Sequence, residues 1–351
     1  MSYRNTYVDV NLKNLNYNIK KIINHYNGYK YYIGVVKADS YGHYSNKVVN
    51  EIIESGCNYL AVSSLDEAVE IRKDFNIPIL CLGVIKENYI KVCEENNIDI
   101  TITNIEYLNK VKDYKVNVHI KIDTGMNRLG TKTKEEFNKM YNAIKESNLN
   151  LKGIFTHIYN ASNQEKTINQ IEKFKKITSD INLNDIDMVH ISQSDTLSNY
   201  EKIDICNGCR LGIIMYGLND DKLELKNTFN LHSEIIEIKH LKPGESVSYN
   251  GIYKSKDNEI IGIVSIGYAD GVNRRLKGAN VYINDKKYQI IGNICMDMLM
   301  VKIDNTVKLG DKVYIYKDNN HIKYLSNYLD TIPYELICNI SKRVERNYIT
   351  K

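Results

Sequence analysis

The chain has 351 residues, 43% hydrophobic and 26% charged, which is long enough for two domains and has the balance of an ordinary globular protein. Its net charge of +4 is small for that length and gives no case for a nucleic-acid partner. No apolar run reaches about 18 residues, and the opening MSYRNTYVDVNLKN lacks a basic stretch followed by an apolar core, so neither a membrane span nor a signal peptide is expected.

The first element is a helix. In LKNLNYNIKKII the residues Leu12, Leu15, Ile19, Ile22 and Ile23 fall on one helical stripe. Eight apolar runs of strand character follow: YYIGVV, YLAVSS, IPILCLG, IDITIT, VNVHIKI, LKGIFTH, IDMVHIS and CRLGIIMYG. Most are separated by amphipathic segments such as SLDEAVEIRK, NIEYLNKVK and TKEEFNKMYNAIKES. Near-continuous apolar strands alternating with helices indicate a parallel sheet, and eight such units favour a closed (β/α)8 barrel, of the TIM type, over residues 1–227. An open doubly wound sheet is the alternative, but no GxGxxG follows any strand. From residue 228 to 351 the pattern turns to strands joined by Gly, Asn, Asp and Pro, as in EIIGIVSIGYADG and ANVYINDKKYQIIG, which predicts a C-terminal all-β domain.

Seven cysteines, odd in number and scattered, suit a reducing cytoplasm better than a disulfide framework. Cys206 and Cys209 in ICNGCR have CxxC spacing, but no second pair completes a metal site and no thioredoxin-like context surrounds them. They read as small strand residues, and no metal is expected.

Barrel enzymes build their sites on the loops after the strands. Lys37 and Tyr41 stand after the first strand, in VVKADSYGHY, with Gly42 giving room for the turn and His43 reading as scaffold. Lys121, Asp123 and Arg128 follow the fifth strand, and His157 ends the sixth. His190, Gln193 and Ser194 follow the seventh, and Arg210 and Gly212 lie in the eighth. Ser194 with the Gly212 and Ile213 amides could bind an anion. Taken singly, each has a plainer reading: a solvated lysine, a structural histidine, an Arg128–Asp123 pair. Placed together at one barrel face they point to chemistry, and a lysine in such a pocket is a Schiff-base candidate because desolvation or cationic neighbours lower its pKa.

VVKADSYGHY, IKIDTGMNRLG, GIFTHI, CRLGIIMYGL, IGYADG and ICMDM, in this order, resemble the motif blocks of the bacterial alanine racemases, the fold-type III pyridoxal-phosphate class, along nearly the whole chain. The resemblance implies pyridoxal 5'-phosphate as cofactor, an amino acid as substrate, and interconversion of L- and D-alanine. In the family that activity supplies D-alanine for peptidoglycan. Lys37 would carry the cofactor and act as base on one face of the substrate. Tyr268 would be the base on the other face, supplied across a homodimer interface. Arg210 would contact the pyridine nitrogen, while Tyr41, Ser194, Gly212, Ile213 and Tyr334 would hold the phosphate. Arg128 and the Met296 backbone would orient the substrate carboxylate, with Asp297 beside it, and His157 would bridge Arg210 and Tyr268. Lys121 matches a lysine that is carbamylated in some members and orients Arg128.

Tyr334 falls where alanine racemases crowd the side-chain pocket, whereas the serine-type branch carries a smaller polar residue there. Asn293 and Ser162 stand where many members have an Arg–Asp pair, and the seventh-strand block HISQSD departs from the commoner Asn-Ser form, so a serine or broader-specificity racemase is an alternative. The basic amino-acid decarboxylases share the architecture but place a glutamate where this chain has Arg210. The small non-catalytic pyridoxal-phosphate proteins lack the β domain that this chain carries.

Overall fold

The computed structural model describes residues 3–218 and 222–350. After β1 (Tyr7–Asn11) and the helix Leu12–His25, eight parallel strands close into a barrel: β2 (Tyr31–Val35), β3 (Tyr59–Val62), β4 (Ile79–Cys81), β5 (Ile98–Ile102), β6 (Asn117–Lys121), β7 (Asn150–Phe155), β8 (Met188–Gln193) and β9 (Gly208–Leu211). The strands match the eight apolar runs, with β7, β8 and β9 each reaching one residue past its run, and β9 closes on β2 with Tyr31 opposite Gly208 and Gly34 opposite Leu211. Strands β3, β4, β5 and β9 are buried along their full length, because barrel filling covers one face and helices the other.

Local signals start the helices. Asn11 caps Leu12–His25 by accepting from the Asn14 amide at 2.8 Å, and Leu12, Leu15, Ile19 and Ile22 turn inward as the stripe requires. Ser64 with Glu67 and Thr133 with Glu136 form reciprocal capping boxes on Leu65–Arg72 and Lys134–Lys145.

The C-terminal part contains β10 (Phe229–Leu241), β11 (Ser246–Val247), β12 (Tyr253–Lys254), β13 (Glu259–Val264), β14 (Asn280–Ile283), β15 (Lys286–Ile291), β16 (Leu299–Ile303), β17 (Lys312–Tyr316) and β18 (Glu345–Ile349). Its large sheet runs in the order β13-β16-β15-β14-β17-β10-β1-β18. Two features differ from the sequence expectation. Strand β1, which falls within residues 1–227, pairs not in the barrel but between β10 and β18. The C-terminal part is not purely β, since the helices Asn319–Tyr328 and Pro333–Cys338 precede the last strand. One buried apolar cluster joins barrel residues such as Leu60 and Ile120 to Val8, Phe229 and Val313 of the sheet, so the two parts share a core. Cys206 and Cys209 are buried and free, with Cys209 inside β9.

Candidate active site

The chain turns sharply where β2 ends. Ala38, Asp39, Ser40 and Tyr41 all take left-handed helical angles, with φ between 51° and 56° and ψ between 45° and 52°. For residues with a Cβ this costs about 1–2 kcal/mol each, so neighbouring structure must hold the turn. Glu67 Oε1 accepts from the Ala38 amide at 2.6 Å. His43, fully buried, bonds the Ser40 and Tyr41 carbonyls through Nδ1 and stacks on Tyr216, and burial pushes its pKa down to about 4. It is scaffold, as the sequence suggested. Arg346 donates to the Gly42 carbonyl at 3.3 Å. Gly42 has φ +78°, and a Cβ there would sit 2.2 Å from the Ile337 carbonyl oxygen. The turn swings Lys37 and Tyr41 into the barrel mouth.

That mouth is a cavity of about 510 Å³. Lys37, Tyr41, Lys121, Arg128, His157, Ser194, Arg210, Gly212, Ile213 and Tyr334 all line it. Tyr334 reaches it from the helix Pro333–Cys338, its ring 5.8 Å from that of Tyr41. Tyr268, Met296 and Asp297 are not among its lining residues; they lie on the β domain, with Tyr268 43% and Met296 53% exposed. Backbone bonds from Tyr268 and Ala269 to the Cys295 and Met296 carbonyls zip their two loops together. Asp297 is engaged by Arg343 at 2.8 Å.

Three groups of contacts define what the cavity can hold. Gly212 N–H donates to Ser194 Oγ at 3.1 Å, and a Cβ on Gly212 would lie 3.0 Å from Tyr41 Oη and 3.3 Å from Ser194 Oγ. Two hydroxyls thus converge on bare backbone, and burial raises the Tyr41 phenol so that it stays a donor. Arg210, 3% exposed, has its guanidinium nearly saturated. Nη1 donates to His190 Nδ1 and to the His190 carbonyl, each at 2.7 Å, and Nη2 to the carbonyls of Thr156 and Ile191 at 2.8 and 3.0 Å. Nη2 also lies 3.5 Å from His157 Nδ1. Among the described residues only the Nε–H is left without a partner, which fits a ring-nitrogen acceptor.

The third group is charge. Burial, then the Arg128 charge, pulls the half-buried Lys37 amine below the ordinary lysine range. Burial and Arg210 bring Lys121 down to about 7. Burial and the same cations push His157 down to about 2, so it is neutral. With Asp195 as the one carboxylate lining the cavity among the described residues, the site is built for an anionic ligand.

Asp123 does not pair with Arg128; its Oδ1 accepts from the Gly125 and Asn127 amides. Lys121 Nζ donates to the Ile122 carbonyl at 2.8 Å and, among the described residues, makes no hydrogen bond to Arg128. Asn293 is 6% exposed and donates to the Tyr249 carbonyl, while Ser162 is exposed and bonded to Asn160. Phe155 was missed. It lines the cavity and lies under both Lys121, at 5.2 Å, and Arg210, at 5.6 Å. Its place at the end of β7, two residues before His157, was the available signal.

The family model described as the alanine racemase N-terminal domain matches residues 10–220, and that of the alanine racemase C-terminal domain matches residues 228–348. The chain is 35% identical to alanine racemase 1 of Bacillus subtilis, over 99% of this chain and 94% of that protein. The crystal structure of alanine racemase from Bacillus anthracis with bound L-Ala-P superposes with a TM-score of 0.92 at 31% identity, covering 100% of this chain and 96% of that one. The alanine racemase of Clostridium difficile 630 does so with a TM-score of 0.93 at 32% identity, covering 99% and 97%. This chain therefore belongs to the alanine racemase family.

Proposed function

We propose that the protein interconverts L- and D-alanine as a cytoplasmic homodimer, with pyridoxal 5'-phosphate in the barrel mouth, and so supplies D-alanine for peptidoglycan. The observation that carries this reading is one cavity in which a lysine of lowered pKa, an arginine with one unengaged N–H, and a Ser–Tyr–glycine cradle meet. These fit a molecule with an aldehyde for the amine, a ring nitrogen for the arginine and a phosphate for the cradle. Bound there, the cofactor would supply an electron-withdrawing ring that stabilises negative charge at the substrate α-carbon.

This chain's residues do the rest. Lys37 takes or returns the α-proton on one face, and its lowered pKa keeps a neutral fraction of amine for that purpose. Tyr268 of the partner subunit serves the opposite face. That phenol needs a donor that favours phenolate, and His157, neutral and 3.5 Å from Arg210 Nη2 through its Nδ1, would link it to that cation. Arg210 keeps its own proton because its pKa, lowered by burial to about 10, remains above neutrality. Tyr41, Ser194, Gly212, Ile213 and Tyr334 hold the phosphate. Arg128 and the Met296 backbone receive the substrate carboxylate, with Asp297 beside them. Tyr334 narrows the space left for a side chain, which favours alanine. Addition of carbon dioxide to the unprotonated Lys121 amine, with release of one proton to solvent, would form a carbamate anion that Arg128 can bond.

Incubation of the holoenzyme with L-alanine in deuterated water tests the reading. Loss of optical rotation should run with α-deuterium incorporation, and at least tenfold faster than with L-serine or L-lysine. Lys37→Ala and Tyr268→Phe should each lower turnover by about 10²-fold or more. Carbon dioxide release without racemisation would contradict it.

A further inference from the structure

Beneath the site, the barrel interior holds a line of polar groups that no step above uses. Asp99 on β5, His119 on β6 and His190 on β8 are 2%, 0% and 0% exposed. Arg210 Nη1 lies 2.7 Å from His190 Nδ1, and His190 Nε2 lies 3.2 Å from His119 Nδ1. His119 Nε2 faces Asp99 Oδ2 at 3.5 Å, an ion-pair distance, and makes no hydrogen bond among the described residues. Asp99 also accepts from the Tyr59 hydroxyl and, at 2.9 Å, from Asn117 Nδ2. His190 cannot turn over easily, since Phe155 stacks on it at 4.6 Å with 8° between the planes.

The donor directions along this line are forced. A guanidinium only donates, so His190 Nδ1 must offer a lone pair. Burial and Arg210 hold His190 neutral, so its single proton sits on Nε2 and points at His119 Nδ1. His119 must then carry its proton on Nε2, facing the carboxylate. Every donor points from Arg210 toward Asp99. No carboxylate forms a direct ion pair with Arg210 among the described residues, and the line that starts at its guanidinium ends on the Asp99 carboxylate.

We propose that Asp99 is a positioning residue for the racemisation: acting through His119 and His190, it fixes the imidazole tautomers that keep Arg210 turned with its Nε–H toward the cofactor ring. This rests on the function proposed above. Asp99→Asn has nearly the same shape but can donate to His119 Nε2. The line would then reverse, leaving His190 Nδ1–H against Arg210 Nη1–H and forcing the guanidinium aside.

The test begins with wild-type holoenzyme labelled with 15N-histidine, assigned by difference against His119→Gln and His190→Gln. Its visible absorbance and its exchange of the L-alanine α-proton first confirm the cofactor and the reaction; failure there sinks the functional reading and leaves the tautomers to be judged separately. Both buried imidazoles should then show a protonated Nε2 and an unprotonated Nδ1. A proton on Nδ1 of His190 overturns the proposal whether or not any variant folds. In folded Asp99→Asn that proton should move to Nδ1, the cofactor absorbance should shift, and kcat should fall at least about tenfold with KM within about threefold. Unchanged tautomers with unchanged kcat in that variant overturn the proposal as well.

Discussion

Lys121 sits where a cation is costly, between burial and Arg210, and its pKa falls from 10.5 to about 7. Across that window the unfolded chain binds more protons than the folded one, so this residue makes stability rise with pH from about 7 to 10.5. In carbon-dioxide-free buffer, denaturant unfolding should show a rise of up to about 1.4 kcal/mol per pH unit attributable to it. Lys121→Met should flatten the slope; an equal slope in both proteins contradicts the assignment. The positions of Lys37, Lys121 and Arg210 were legible in the sequence because each stands at or near the C-terminal end of an apolar strand, where barrel sites form. Asp99 and His119 were not. They lie inside IDITIT and VNVHIKI, and a polar side chain facing the barrel axis reads the same in sequence as one facing a helix.

At the scale of elements, the eight barrel strands were legible because parallel strands covered on both faces must be almost wholly apolar. The left-handed turn after β2 was not, because Ala38, Asp39, Ser40 and Tyr41 carry no local preference for that hand. It exists by clamping from Glu67, His43 and Arg346, residues distant in the chain except for His43. Only Gly42 hinted at it. Gly42→Ala should strain a positive φ and drive a methyl into the Ile337 carbonyl. We expect a loss on the order of 3 kcal/mol or more, seen as a large drop in thermal midpoint, and weaker cofactor retention. A variant as stable as the parent would show that the C-terminal helix yields easily. Strands β1 and β18 escaped a sequence reading for another reason. Their pairing, Tyr7 with Glu345, spans nearly the entire chain.

At the scale of the whole molecule, the residues assigned to the proposed reaction lie in two places. Lys37 is in the barrel mouth, while Tyr268 and Met296 stand exposed on the β domain. Beside Met296, Tyr249 and Met298 are also exposed, at 68% and 45%, an apolar grouping expected to be covered by another molecule. On the proposed reading a second copy would supply what each half lacks, its barrel mouth meeting this β domain and its β domain closing this barrel. Two-fold assembly of that kind yields two equivalent sites, each drawing on both chains. The most direct measurement unfolds Lys37→Ala and Tyr268→Phe together and refolds them as a mixture. Every mixed dimer then has one site with both substitutions and one with neither. Two nearly inactive proteins should regain about a quarter of the wild-type activity at equal mixing, against none when each is refolded alone. No recovery in a mixture shown to contain mixed dimers, or full activity in a wild-type monomer, would contradict a shared two-base site.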